Sequence, residues 1–179
     1  MIGPMDRELR VAFAAAASGD EAAFGRIVLA YHEDMRRVCT FITRDPALAD
    51  DAVQAAWAIA WRKLESVREP DRLKPWLMRV AINEAKHQAK RRRRRGEVEV
   101  HADQVDRAGG VDPATGIDAI DLRAAMERLE PDDRALLALR YGAGFDATEL
   151  AAALGLSPSG TRTRLERLVK RLRKDLTDG

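Results

Sequence analysis

Seven cations crowd one stretch near the end of this chain: Arg162, Arg164, Arg167, Lys170, Arg171, Arg173 and Lys174, against one acid, Glu166. Leu165, Leu168, Val169, Leu172 and Leu176 recur among them at three- and four-residue steps, the spacing of a buried helical stripe. The cations must then face outward. Guanidinium groups near the start of such a helix can pair bidentately with guanine O6 and N7, and later ones can hold phosphates. The helix N-terminus itself favours a phosphate. The chemistry on offer is recognition of duplex DNA.

The elements that must position this helix are written just upstream. Asp146 and Glu149 have the spacing of a capping box, Gly155 can turn the chain, and Ser157 with Pro158 opens the next helix. Helix, glycine turn and cationic helix together make a helix-turn-helix. Before it, Leu122, Ala125, Met126 and Leu129 form a stripe. Pro131 opens a further helix through Leu136, Leu137, Leu139 and Tyr141, which Gly142 can end. Residues 119–179 are therefore expected to form a four-helix DNA-binding domain.

A second cationic run, Lys90 to Arg95, would repel itself on a free helix and wants an anion. DNA phosphates would serve, with affinity that falls steeply with salt. The helix carrying it opens at Pro75 and bears Trp76, Leu77, Val80, Ala81 and Ala85. Two helices precede it. One follows a capping box read at Ser18 and Glu21 and carries Phe24, Ile27, Val28, Tyr31, Met35, Val38, Cys39 and Ile42 on one face. The other is capped by Asp45, begins at Pro46 and carries Leu48, Ala52, Val53, Ala56, Trp57, Ala60, Trp61 and Leu64. Ser66 to Lys74 reads as a loop, and Trp57 and Trp61 as core residues.

No alternating run or Asn-Gly hairpin suggests a strand. The fold class is all-α: two small helical domains, residues 1–95 and 119–179, joined by a flexible acidic linker over 96–118. Charge follows this division. The first 95 residues hold 19 Lys/Arg against 13 Asp/Glu, residues 96–118 hold one against six, and the remainder eleven against ten. Apolar residues are 46% of the chain but aromatics only 5%, so the cores rest on aliphatic side chains.

Catalytic chemistry finds no constellation. His32, His87 and His101 are not spaced as metal ligands, and no glycine-rich phosphate loop, nucleophile elbow or Cys-His cluster occurs. No catalytic residue, metal or cofactor is expected. The single cysteine, Cys39, allows no intrachain disulfide and falls on an apolar stripe, where it should be buried. No apolar run approaches the roughly 18 residues that cross a bilayer, and the N-terminus lacks a secretory pattern. A cytoplasmic protein without membrane insertion is the expectation.

Two stretches of the first domain carry a family pattern. Asp45-Pro-Ala-Leu-Ala-Asp-Asp-Ala-Val-Gln-Ala-Ala-Trp-Ala-Ile-Ala-Trp61, followed by Pro75-Trp-Leu-Met-Arg-Val-Ala-Ile-Asn83, resembles the bacterial RNA polymerase sigma factors of the extracytoplasmic-function (ECF) group. Leu129-Glu-Pro-Asp-Asp-Arg-Ala-Leu-Leu-Ala-Leu-Arg-Tyr141 with the helix-turn-helix is similar to that family's second DNA-binding domain. The match covers roughly residues 18–95 and 119–176.

The resemblance implies a non-enzymatic initiation subunit that binds core RNA polymerase and directs it to promoter DNA. It implies that Asp50, Asp51 and Gln54 form a polymerase-binding face. It implies minus-ten contacts from Arg68, Arg72, Lys74, Trp76, Arg79, Asn83, Lys86, His87, Lys90 and Arg91. Minus-thirty-five contacts would come from Ser159, Thr161, Arg162, Thr163, Arg164, Arg167, Lys170 and Arg171. An anti-sigma factor is the expected regulator. The acidic linker would thread a positively charged channel and mimic RNA. Nothing long follows Gly179, which points away from subgroups with C-terminal extensions. Four departures stand out: His87 replaces the usual Asp, Lys90 the usual Arg, Ala55 the acid after the Gln, and Gly160-Thr161 the usual Thr-Val. Two other readings compete. A stand-alone helix-turn-helix regulator leaves the acidic helix and linker unexplained, and a nuclease-like helical enzyme lacks the acids it would need.

Overall fold

The computed structural model describes residues 5–94, 125, 126 and 128–177, and these are all-α. The acidic linker, Arg95 and the start of the stripe at Leu122 lie outside the described residues.

The first helix was not anticipated. α1 (Arg7–Ala17) is capped by Asp6, whose Oδ1 accepts from the Leu9 N–H at 2.7 Å, and it buries Ala12, Phe13 and Ala16. α2 (Glu21–Thr43) begins two residues later than a Ser18 cap would place it. Gly19, at φ +96°, breaks the chain, so Ser18 closes α1 with its Oγ on the Ala14 carbonyl. Asp20 caps α2 instead, accepting from the Ala23 N–H at 2.9 Å. α3 (Pro46–Lys63) starts as its sequence reads, with Asp45 Oδ1 accepting from Ala47 and Leu48. The expected loop over Ser66–Lys74 is tighter than a loop. A 3₁₀ turn at Pro70–Arg72 feeds directly into α4 (Leu73–Arg94), leaving Pro75 in the first turn, where a missing N–H costs nothing.

α2, α3 and α4 pack around one another, with α1 laid against α2. Ile27, Met35, Ile42, Leu77, Met78 and Ile82 are among the large buried side chains, each contributing about 1.5–3 kcal/mol. Ala49, Ala52, Ala56 and Ala60 are fully buried along α3 and leave room for its neighbours.

In the second half, α5 (Pro131–Leu137) runs into a π-helical turn, Ala138–Gly142. There the Ala143 N–H reaches back to the Ala138 carbonyl at 3.0 Å. Tyr141, read from the sequence as part of an apolar helix, is 68% exposed on this turn. α6 (Ala147–Leu154) carries the expected capping box: Asp146 accepts from Thr148 and Glu149, and Glu149 Oε2 accepts from the Asp146 N–H, all at 2.8 Å. α7 (Pro158–Thr177) follows.

The two halves share a continuous core. α6 lies on α4, and α5 with its π turn lies on α2. Arg134 is enclosed near this contact at 4% exposure, its Nη1 donating to the Leu129 carbonyl and its Nε unpartnered. Burial, with repulsion from Arg44 and Arg93, pulls its guanidinium down to about 10.

Candidate nucleic-acid interface

The turn that presents α7 needs glycine. Gly155 closes α6 at φ +69°, in the left-handed region that a Cβ disfavours. Ser157 then caps α7, its Oγ accepting from the Gly160 N–H at 3.1 Å. Leu168 and Leu172 anchor the helix, with Leu165 and Val169 half-buried, while Leu176 is more open than its place in the stripe suggests.

Of the residues expected to read DNA, Ser159, Arg162, Thr163, Arg167, Lys170 and Arg171 are exposed. Thr161 is not. It is fully buried and its hydroxyl donates to the Ser157 carbonyl at 2.9 Å. The threonine thus packs as a β-branched core residue with its polar group satisfied by its own helix, and it has no surface to offer a base. Arg164 is half-buried beside Asp133 of α5. Its Nε and Nη2 donate to Asp133 Oδ1 at 3.0 and 2.8 Å, while Arg171 Nη2 donates to Oδ2 at 2.9 Å. These groups floor an open groove of about 770 Å³ between α5 and the start of α7. Sequence reasoning passed over Asp133. Its only local signal is an acid in the first turn of a helix, which ordinarily answers the helix dipole.

On α4, Arg79, Asn83, His87 and Lys90 form an exposed stripe at helical spacing, with Arg91 beside it. His87 Nδ1 lies 3.7 Å from Glu84. Other members of the expected minus-ten set are engaged within the molecule. Lys74 pairs with Asp34 at 2.9 Å and sits 5.6 Å above the Phe145 ring, a cation–π contact with the second half. Lys86 pairs with Asp132 of α5. Trp76 is half-buried against the core. Arg72 holds Glu69 at 2.9 Å in the turn before α4, and Arg68 is exposed.

Asp50, Asp51 and Gln54 are all exposed in the first turns of α3. Asp50 and Asp51 stand four and three residues before Gln54, so the three share one face. Farther along α3, Trp57 is half-buried and Trp61 is 37% exposed, short of the full burial expected of core residues. Phe24 of α2 meets both edge-on, with centroids at 5.7 and 4.9 Å, and Trp57 Nε1 donates to His32 Nδ1 at 3.3 Å. A polar face and two tryptophans therefore lie along α3, and Phe24 of α2 completes an aromatic ledge beside them. Among the described residues no cluster of His, Cys, Asp or Glu could hold a metal ion, and no helix is long and apolar enough to cross a membrane.

Comparison with known proteins matches residues 27–95 to Sigma-70 region 2 and residues 119–172 to Sigma-70, region 4. The chain is 33% identical to a Xanthomonas campestris pv. campestris protein named "Probable RNA polymerase sigma factor RfaY", over 90% of this chain but 42% of that one. It is 30% identical to RNA polymerase sigma factor CarQ of Myxococcus xanthus, over 74% of this chain and 77% of that one. A solved structure of the sigma factor RpoE from Bartonella quintana, crystallised with the anti-sigma factor NepR, superposes with a TM-score of 0.65 at 25% identity, over 86% of this chain and 96% of that one.

Proposed function

Because the chain belongs to the sigma-70 family of RNA polymerase sigma factors, we propose that it is an alternative sigma factor of the ECF type. It binds core RNA polymerase, reads promoter DNA at two elements and has no enzymatic activity of its own. The observation that carries this reading is the pairing of two cationic helical surfaces with a separate polar face. α7 offers Arg162, Thr163, Arg167 and Lys170 to a duplex. α4 offers Arg79, Asn83, His87 and Lys90, a set suited to backbone phosphates and to a base taken out of the stack. Asp50, Asp51 and Gln54 on α3 carry no such cations and suit a protein partner.

Control by an anti-sigma factor fits the same geometry. The two halves already meet through α6 on α4, and a partner that tightened this contact would keep α4 from DNA. The acidic segment over 96–118 is proposed to occupy a positively charged channel of polymerase, with six acids to one arginine.

The test is run-off transcription with purified core polymerase on promoters recovered by genomic selection. Wild type is expected to give specific transcripts. A Asp51→Ala/Gln54→Ala double variant should lose them while keeping its helical content and its melting temperature. Duplex binding without any polymerase-dependent initiation would instead make the protein a stand-alone regulator.

A further inference from the structure

We propose that Asp133 is a positioning residue that sets which guanidinium groups of α7 reach DNA. The inference rests on the reading of α7 as a duplex-binding helix and deepens it. Arg164 and Arg171 are seven residues apart, two turns along one face of α7, and one carboxylate spans both. Each oxygen of Asp133 is committed: Oδ1 accepts twice from Arg164, and Oδ2 accepts from Arg171. The Asp133 side chain is 15% exposed, so water competes little for it.

Two consequences follow from the hydrogen-bond geometry. The Nε–Nη2 edge of Arg164, one of the two that can grip a guanine or a phosphate bidentately, is already spent. A phosphate approaching either arginine also meets the Asp133 charge behind it. Asp133 therefore withdraws two of the seven cations from the array and leaves Arg162, Arg167, Lys170, Arg173 and Lys174 to define its footprint. An array with all seven free would bind any duplex through its phosphates. Withdrawing two lowers that sequence-independent affinity and leaves the bases a larger share of the binding energy.

The experiment measures how holoenzyme affinity for a selected promoter duplex and for a scrambled duplex depends on salt, with full-length protein on core polymerase. Asp133→Asn keeps the size of the side chain and removes its charge. It is expected to steepen the slope of log K against log[salt] by about 0.9 for each arginine that gains a phosphate. Scrambled-duplex affinity at 0.1 M salt should rise by about tenfold, and the promoter-to-scrambled ratio should fall. Asp133→Glu restores the charge and should return both quantities toward wild type, which a loss of folding alone would not do. If Asp133→Asn destabilises the domain, Arg171→Gln replaces it as the test, since Arg164 still holds Asp133. That variant should leave the slope unchanged, whereas Arg167→Gln should flatten it by about 0.9. The proposal is overturned if Asp133→Asn leaves slope and ratio unchanged, if Asp133→Glu behaves as Asp133→Asn, or if Arg171→Gln flattens the slope as Arg167→Gln does. Failure of wild-type holoenzyme to prefer the promoter duplex would sink the functional reading instead, before any variant is compared.

Discussion

Cys39 is enclosed between α2 and α4, its Sγ 3.6 Å from the Ala81 carbonyl oxygen. Burial pushes its thiol up to about 12. The folded protein holds this proton more tightly than the unfolded chain does. Its contribution to stability is therefore intact below about pH 8.5 and is lost as pH climbs toward 12. A thiol reagent at pH 8 should modify the native protein no faster than the protein unfolds, and should react at once in denaturant. Rapid stoichiometric modification under native conditions would contradict the burial. Asp71 illustrates the opposite sign. The hydrogen bond from Arg10, then the one from the Met5 N–H, holds its carboxyl below the usual range. That contribution is present above about pH 4 and fades as pH falls further. Asp71→Asn should speed amide exchange at the start of α1 at neutral pH and make that exchange insensitive to mild acid.

Helix starts were legible in the sequence because caps are local chemistry. Asp45-Pro46, Asp146 with Glu149, and Ser157-Pro158 each open the helix their side chains suggest. Asp146→Ala should cost about 1 kcal/mol in a urea melt, since it leaves two N–H groups without their acceptor. Gly155→Ala should cost about 1–2 kcal/mol, because alanine must hold φ +69° there. A loss below a few tenths of a kcal/mol would mean that the turn had relaxed. α1 escaped notice because its stripe is only Ala12, Phe13 and Ala16, and its support comes from burial on α2. Ser18 misled because Ser and Asp cap equally well, and only the positive φ of Gly19 decides between them. The Asp133 bridge joins residues 31 and 38 positions apart, a distance at which helical periodicity carries no information. The surfaces on α4 and α7 were legible as sets of residue types. Which members were spent on internal partners was not.

At the scale of the molecule, the contact between halves is held by apolar packing and trimmed by charge. Lys86 with Asp132, Arg93 with Glu130 at 3.9 Å, and Lys74 over Phe145 all cross it. Such partly exposed pairs are each worth under about 1 kcal/mol, so they tune the contact more than they secure it. Asp132→Lys would set like charges against each other at Lys86. Fluorescence anisotropy should then report tighter binding of the full chain to a single-stranded minus-ten oligonucleotide, with little loss of overall stability. Unchanged affinity would mean that Lys86 takes no part in that binding.

The aromatic ledge of Phe24, Trp57 and Trp61 has an optical consequence. The chain's three tryptophans, Trp57, Trp61 and Trp76, all fall in its first half. Trp57 and Trp61 stand on the helix that carries the polar face, and Trp76 on the helix that carries the candidate minus-ten stripe. Tryptophan emission therefore arises from the first half of the chain alone. It divides into two signals, one neighbouring each proposed partner, that single Trp→Phe replacements can separate without any added dye.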